Sequence, residues 1–245
     1  MLDRRADADV TETPGVTARW ADSAFPFWNT IFLTEQIASP THLKERLRQA
    51  VGAMHGRTQS GLVCVCEEYL GSAALADLPE ATGQAGLAFA LTLRGMAGDL
   101  LPIPEPEHPA LRFTRVMTDD GLRDYGDINA RAYGFPAEAG PAALVGSSLW
   151  KRPMQTWLGY AEDRPVCAAA TVANQGCLYL SLVATLPEAQ RKGYGEAIVR
   201  KALYEGGRET GIRRTILHAT DAGFPVYRRI GYHQTCTFRV YAARR

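Results

Sequence analysis

Apolar residues recur at helical spacing from Thr41 to His55, where Leu43, Leu47, Ala50 and Met54 share one stripe and Gly56 follows. The pattern predicts an amphipathic helix that Thr41 can cap. Gly61 to Cys66 is a short continuous apolar run and reads as a strand, with Cys64 and Cys66 on one face. Ser72 to Glu80 reads as a short helix and Gly86 to Leu93 as a further strand, while polar residues 1–17 read as a loosely held terminus. Trp20, Phe25, Phe27 and Trp28 form an aromatic group suited to packing.

Past residue 110 the alternation is clearer. Leu111 to Met117 reads as a strand, and Gly121 to Ala132 as a helix with Leu122, Tyr125, Ile128 and Ala132 at helical spacing. A short helix falls within residues 137–150. Gln155 to Ala161 and Val166 to Ala173 read as strands joined by the turn Glu162-Asp163-Arg164-Pro165. Leu178 to Val183 is a strand, Gly195 to Glu209 a helix and Arg214 to Ala219 a strand. Residues 223–230 form a short helix, and Tyr232 to Tyr241 a closing strand. Antiparallel runs followed by strand-helix-strand crossovers predict an α/β (α+β) chain with a mixed, mostly antiparallel sheet flanked by helices.

Prolines at 102, 104, 106 and 109 mark a stiff extended linker, because proline lacks an amide donor and forces its predecessor to extended geometry. The expected organisation is a smaller α/β domain over 1–100, a linker over 101–109 and a second domain over 110–245. Residues 1–110 carry 8 basic and 14 acidic side chains and residues 111–245 carry 19 and 12, so an anionic ligand belongs to the second half. The whole chain of 245 residues balances 27 basic against 26 acidic residues, which excludes a strongly basic nucleic-acid binder. The longest apolar run, Val166 to Ala173, is too short to span a membrane. No apolar core follows the charged N-terminus as in a signal peptide, so a cytoplasmic location is expected. Cys167, Cys177 and Cys236 are scattered and lack zinc-site spacing, so the five cysteines read as thiols and no metal is expected.

Chemistry concentrates in Val183-Ala184-Thr185-Leu186-Pro187-Glu188-Ala189-Gln190-Arg191-Lys192-Gly193-Tyr194-Gly195-Glu196-Ala197. It joins a strand to a helix whose start offers unpaired amides and the positive end of the macrodipole. Gly193 and Gly195 let backbone approach a phosphate, and Arg191 and Lys192 add charge. A Walker A loop is excluded, because no GxxxxGK is followed by Ser or Thr. A dinucleotide fingerprint fits poorly, because Ile198 occupies its third small position.

Gln190-Arg191-Lys192-Gly193-Tyr194-Gly195, with Pro187 before it, resembles the Gln/Arg-x-x-Gly-x-Gly/Ala signature of the GNAT superfamily of N-acetyltransferases. The later Tyr227-Arg228-Arg229-Ile230-Gly231-Tyr232 is similar to that family's Tyr-x-x-x-Gly-Phe/Tyr segment. The resemblance spans about residues 111–245. It implies that acetyl-CoA is the co-substrate, with the backbone of Val183, Ala184 and Thr185 along the pantetheine arm and Arg191, Lys192, Gly193, Tyr194, Gly195 and Glu196 around the pyrophosphate. It also implies a sheet splayed at Leu182 and Val183, and Tyr227 as the acid that protonates the departing thiolate. Thr185 stands where the family more often has valine, which leaves a backbone role intact.

The implied activity is acetyl transfer to a primary amine by direct attack, with a small-molecule or peptide acceptor. The alternative is a catalytically inactive acyl-CoA-binding module. No general base is assigned: His218 on the strand before Tyr227 reads as structural, and Glu162 at a turn as solvated. The helix-strand-helix-strand order of the first half echoes a degenerate GNAT unit without the phosphate loop, or an unrelated accessory domain.

Overall fold

The computed structural model describes residues 9–147, 150 and 154–244. The chain divides into two compact units, Met1–Arg94 with Cys236–Arg245, and Gly95–Thr235. The strand β5 (Leu87–Asp99) begins in the first unit and ends in the second, and β11 (His233–Ala243) begins in the second and ends in the first.

The first unit contains β1 (Asp9–Thr13), β2 (Val16–Trp20), β3 (Asn29–Leu33), α1 (Pro40–Gly52), β4 (Leu62–Cys66) and α2 (Ser72–Gln84). Its strands lie in the order β1-β2-β3-β4-β11-β5, with β3 parallel to β4. Residues 9–20 form a hairpin turning at Gly15, so the expectation of a loose terminus fails there; residues 1–8 lie outside the described residues. Val16, Ala18 and Trp20 alternate inward along β2, and that burial fixes the register. The cap of α1 is Ser39, whose Oγ accepts from the His42 amide, rather than Thr41; Pro40 opens the helix and displaces the boundary. Leu43, Leu47 and Ala50 of α1 and Ala74, Leu78 and Ala81 of α2 share a core with Trp20, Ile31, Val63 and Val65. Phe25 is buried and meets Phe27 edge to face at 5.6 Å, so this aromatic pair packs.

The second unit contains β6 (Arg112–Arg115), α3 (Asp119–Ala132), α4 (Ala139–Leu144), β7 (Met154–Ala161), β8 (Arg164–Asn174), β9 (Cys177–Thr185), α5 (Tyr194–Thr210), β10 (Arg214–Ala219) and α6 (Phe224–Ile230). The strands are ordered β5-β10-β9-β8-β7-β6; β6 to β9 are antiparallel and β9 is parallel to β10. This is the mixed, mostly antiparallel sheet that the sequence predicts.

Successive residues Val166 to Thr171 of β8 are all buried, as a strand covered on both faces requires. Thr171 and Leu178 press against Gly206 of α5, and α3 packs on β8 and β9. Thr118 caps α3 by accepting from the Gly121 amide, with Asp119 and Asp120 in the first turn and Arg131 in the last, all favourable to the helix dipole. The α3–α4 crossing is backbone on backbone, since a Cβ on Gly140 would stand 1.9 Å from the Gly126 carbonyl oxygen.

The linker over 101–109 is extended but held. Leu101 is buried against Gly207, and Glu105 accepts from Lys201 Nζ at 3.1 Å. His108 meets the Tyr194 ring edge to face at 5.2 Å.

The two halves share one element order. The run β1-β2-β3-α1-β4-α2-β5 repeats as β7-β8-β9-α5-β10-α6-β11, and in each run the third and fourth strands are parallel neighbours. Within the first unit β4 pairs with β11, and within the second β10 neighbours β5, so each unit's sheet takes in the final strand of the other run.

Candidate active site

The site is built on β9. Ala168 faces Ala184 and Ala170 faces Ser181, so Leu182 and Val183 together oppose the single residue Ala169 in a β-bulge. Leu182 adopts φ +50, a left-handed conformation that costs a non-glycine residue about 1–2 kcal/mol. Two tyrosines hold the bulge: Tyr125 Oη donates to the Leu182 carbonyl at 2.9 Å, and Tyr133 Oη to the Val183 carbonyl at 3.1 Å. Tyr125 lies within α3 and Tyr133 is its C-cap residue.

Beyond the bulge the sheet opens. The parallel ladder of β9 with β10 ends at Leu180 opposite Leu217, although β9 continues to Thr185 and β10 to Ala219. The edge of β9 past Leu180 therefore has no β10 partner in the parallel ladder, which leaves room for an added strand-like ligand. Val183, Ala184 and Thr185 lie on this stretch.

The chain then passes through a short 3-10 turn, Pro187–Ala189, and enters α5 with two left-handed residues, Arg191 at φ +61 and Gly193 at φ +82. The first main-chain bond of the helix start is Ala197 N–H to the Gly193 carbonyl at 3.1 Å. The amides of Arg191 through Glu196 have no main-chain acceptor among the described residues, so this loop and helix start can serve as an anion cradle. Gly193 has the His108 ring 3.4 Å from where a Cβ would stand, and Gly195 has Thr185 Oγ1 at 3.2 Å. Arg191, Lys192 and Glu196 surround the cradle. Glu196 is tied to Arg200 at 2.8 Å and Arg229 at 3.3 Å. Burial raises its pKa, but these two guanidiniums outweigh that and hold it below its ordinary value. Its charge is thus compensated away from the amides.

Tyr227 lies in α6 and is buried, with its ring edge to face with Tyr232 at 5.9 Å. Burial, reinforced by Tyr133, Tyr232 and Tyr179, raises its pKa well above the phenol value of 10.0, so it remains protonated at neutral pH. Tyr133 thus contributes to the raised pKa of both Tyr125 and Tyr227. Sequence reasoning missed Tyr125 and Tyr133 because their hydroxyls act 57 and 50 residues away. It also missed the pairing of His218 with Tyr179 at 3.1 Å, across the mouth of the opened strands.

Two other places bear on the reading. A cleft of about 660 Å³ lies along β7 and β8 next to the loop, and its walls mix Arg112, Arg164 and Lys192 with Glu162, Asp163 and Glu188. In the first unit Cys236 is not isolated: its thiol lies with the Cys66 thiol and the Glu68 carboxylate, all within 4.8 Å of one another. The Cys66 thiol donates to Glu68 at 3.4 Å, and burial followed by Glu68 raises its pKa to about 12, so it is held protonated.

Residues 135–242 match the family model for the acetyltransferase (GNAT) domain. No curated protein matches the chain. Among solved structures it is similar to a GCN5-related N-acetyltransferase from Kribbella flavida, with TM-score 0.70 and 17% identity over 97% of this chain and 90% of that one. It is also similar to a GCN5-related N-acetyltransferase from Sphaerobacter thermophilus, with TM-score 0.61 and 15% identity over 93% and 76% of the two chains. A tandem GNAT protein from the clavulanic acid biosynthesis pathway matches with TM-score 0.53 and 8% identity over 82% and 69%. At such identities the likeness is one of fold, and it is the fold of a GNAT acetyltransferase, tandem forms included.

Proposed function

We propose that this chain transfers an acetyl group from acetyl-CoA to a primary amine by direct attack. The observation that carries the proposal is the continuity of the opened β9 edge with the anion cradle at the start of α5, within the residues that match the GNAT domain model. A pantetheine arm has amides to pair along Val183, Ala184 and Thr185. The pyrophosphate that ends it has the amides of Arg191 through Glu196 and the charges of Arg191 and Lys192. No metal is required, because the oxyanion can be met by backbone amide at the bulge and the leaving group by a phenol.

In this reading the amine attacks the thioester carbonyl, negative charge develops on its oxygen beside the bulge, and the C–S bond breaks. Tyr227 gives its proton to the departing thiolate. Its raised pKa keeps that proton available at neutral pH, and the low-dielectric surroundings favour transfer in concert with charge development on sulfur. The acceptor is a small-molecule or peptide amine and the setting cytoplasmic.

We read the first unit as a degenerate GNAT-like unit, on the strength of the repeated element order. The matching loop between β3 and α1 differs in each feature that makes the cradle. Pro40 has no amide, and Ser39 Oγ already takes the His42 amide. The β2–β3 register runs from Val16 opposite Leu33 to Trp20 opposite Asn29 without a bulge. One acetyl-CoA per chain is expected.

The test is incubation of the purified chain with acetyl-CoA and a panel of primary amines, following free thiol and acetylated product by mass spectrometry. Thiol release that depends on an amine, with the matching amide formed, supports the proposal. Binding of acetyl-CoA without amine-dependent release returns the chain to the acyl-CoA-binding reading.

A further inference from the structure

We infer that His218 is the general base that takes the proton from the acceptor ammonium, held for that task by Tyr179. The inference rests on the acetyl-transfer reading above and assigns the step which that reading leaves open.

An alkylamine arrives at neutral pH mostly as its ammonium and cannot attack until a proton is removed. The group that removes it must stand where the opened strands expose the thioester. His218 follows Leu217, the last residue of β10 to pair with β9, so it occupies the first position beyond the ladder. Along β10, Thr215, Leu217 and Ala219 are buried while His218 points the other way and reaches solvent. Leu178 points toward α5, as its contact with Gly206 shows, and Tyr179 points to the opposite face. His218 meets Tyr179 on that face, with ring centroids 5.8 Å apart and Tyr179 Oη 3.1 Å from Nδ1. Tyr179 also contributes to the raised pKa of Tyr227, so it lies near the candidate acid.

One tautomer of this hydrogen bond suits the imidazole to that task. When Nδ1–H donates to Tyr179 Oη, the lone pair of the neutral ring resides on Nε2, and protonation there yields an imidazolium whose other N–H is already bonded. The same group is set up to be neutral before the reaction, since desolvation by the surrounding protein lowers its pKa below the ordinary 6.5. Tyr179 from β9 is a titratable group that meets its ring.

The proton count closes. One ammonium proton passes to Nε2 and leaves its electron pair on nitrogen. That pair forms the C–N bond as the carbonyl pair moves to oxygen. Collapse re-forms the carbonyl and expels the C–S pair onto sulfur, which takes the proton of Tyr227. The second proton on the new amide nitrogen restores Tyr227, and His218 releases its own to solvent.

The experiment is the pH dependence of kcat/KM for an accepted amine in wild type, His218→Gln and Tyr179→Phe, with acetyl-CoA binding measured by calorimetry on each. Wild type is expected to lose activity on the acid side with an apparent pKa below 6.5. Glutamine can keep a bond to Tyr179 but cannot titrate. His218→Gln is therefore expected to lower kcat by about 10²–10⁴-fold, to abolish that acid limb and to leave the Kd for acetyl-CoA unchanged. Tyr179→Phe removes the acceptor that stabilises the imidazolium, so its acid limb should move to lower pH with a smaller fall in kcat. A His218→Gln enzyme that keeps both wild-type kcat and the acid limb overturns the assignment alone. If wild type binds acetyl-CoA yet acetylates no amine, the acetyl-transfer reading falls and this inference with it.

Discussion

Gly195→Ala separates a phosphate-binding loop from a helix that merely begins with glycines. The residue lies in the first turn of α5, and an added Cβ would sit 3.2 Å from Thr185 Oγ1, close enough to need a shift of a few tenths of an ångström. Alanine is favoured over glycine within a helix by about 1 kcal/mol, so the gain offsets that crowding and stability should stay within about 1 kcal/mol of the parent. Binding should behave differently. A methyl group at the start of α5 holds a pyrophosphate oxygen away from an amide, and losing one charge-assisted hydrogen bond costs about 1.5–3 kcal/mol. That is roughly a 10- to 150-fold rise in Kd. Titration calorimetry with CoA, beside urea denaturation of the same preparation, reads both quantities. Gly52→Ala in α1, where a Cβ meets nothing within 4 Å, is the control that should change neither binding nor its salt dependence. A Gly195→Ala protein that folds and binds CoA as tightly as the parent would refute the cradle.

Tyr227→Phe keeps the ring and its packing against Tyr232, and is expected to lower kcat by about 10²–10⁴-fold while acetyl-CoA binding weakens by no more than about 1.5 kcal/mol; steady-state kinetics beside calorimetry distinguishes the two. Gly140→Ala drives a Cβ into the Gly126 backbone and should destabilise the chain by about 3 kcal/mol or more, read as a lowered denaturation midpoint with disrupted α3–α4 packing. Burial raises the pKa of Glu205, but Lys201 and Arg208 outweigh it and hold the carboxylate below its ordinary 4.5. Its contribution is therefore present above the unfolded-state pKa and is lost as pH falls through the lower folded value, so Glu205→Gln should cost about 1–2 kcal/mol at pH 7 and progressively less below pH 4.5.

Local chemistry made much of the second unit legible. The helix from Tyr194 to Thr210 is announced by Gly193 before it and Gly211 after it, both at positive φ, and by an apolar stripe through Ala197, Ile198, Ala202 and Leu203. The hairpin between β7 and β8 follows from Glu162 and its neighbours, since Glu162 takes φ +50 at the turn. The first hairpin carried a signal that the polar composition hid: Pro14-Gly15 lies between two runs rich in valine and threonine. The β5 strand runs to Asp99, past Leu93 where the sequence reading ends it. Thr235 Oγ1 donates to the Gly95 carbonyl at 3.2 Å and Thr215 Oγ1 to the Gly98 carbonyl at 3.1 Å, and both partners are more than a hundred residues distant. The bulge is the deepest omission. Nothing around Leu182 favours a left-handed conformation, and the hydroxyls that hold it come from Tyr125 and Tyr133. Periodicity speaks of a residue's own element, whereas the bulge, the His218–Tyr179 pair and the placing of Cys236–Arg245 in the first unit depend on residues far along the chain.

Calorimetric titration of acetyl-CoA into the full chain tests the cofactor site most directly. One molecule is expected to bind per chain, more weakly as salt rises, because the cradle of β9 and α5 receives a charged pyrophosphate while the start of α1 is closed by Ser39 and Pro40. Absence of binding to folded protein free of copurified CoA would contradict the site, and two equivalent molecules per chain would contradict its confinement to the second unit.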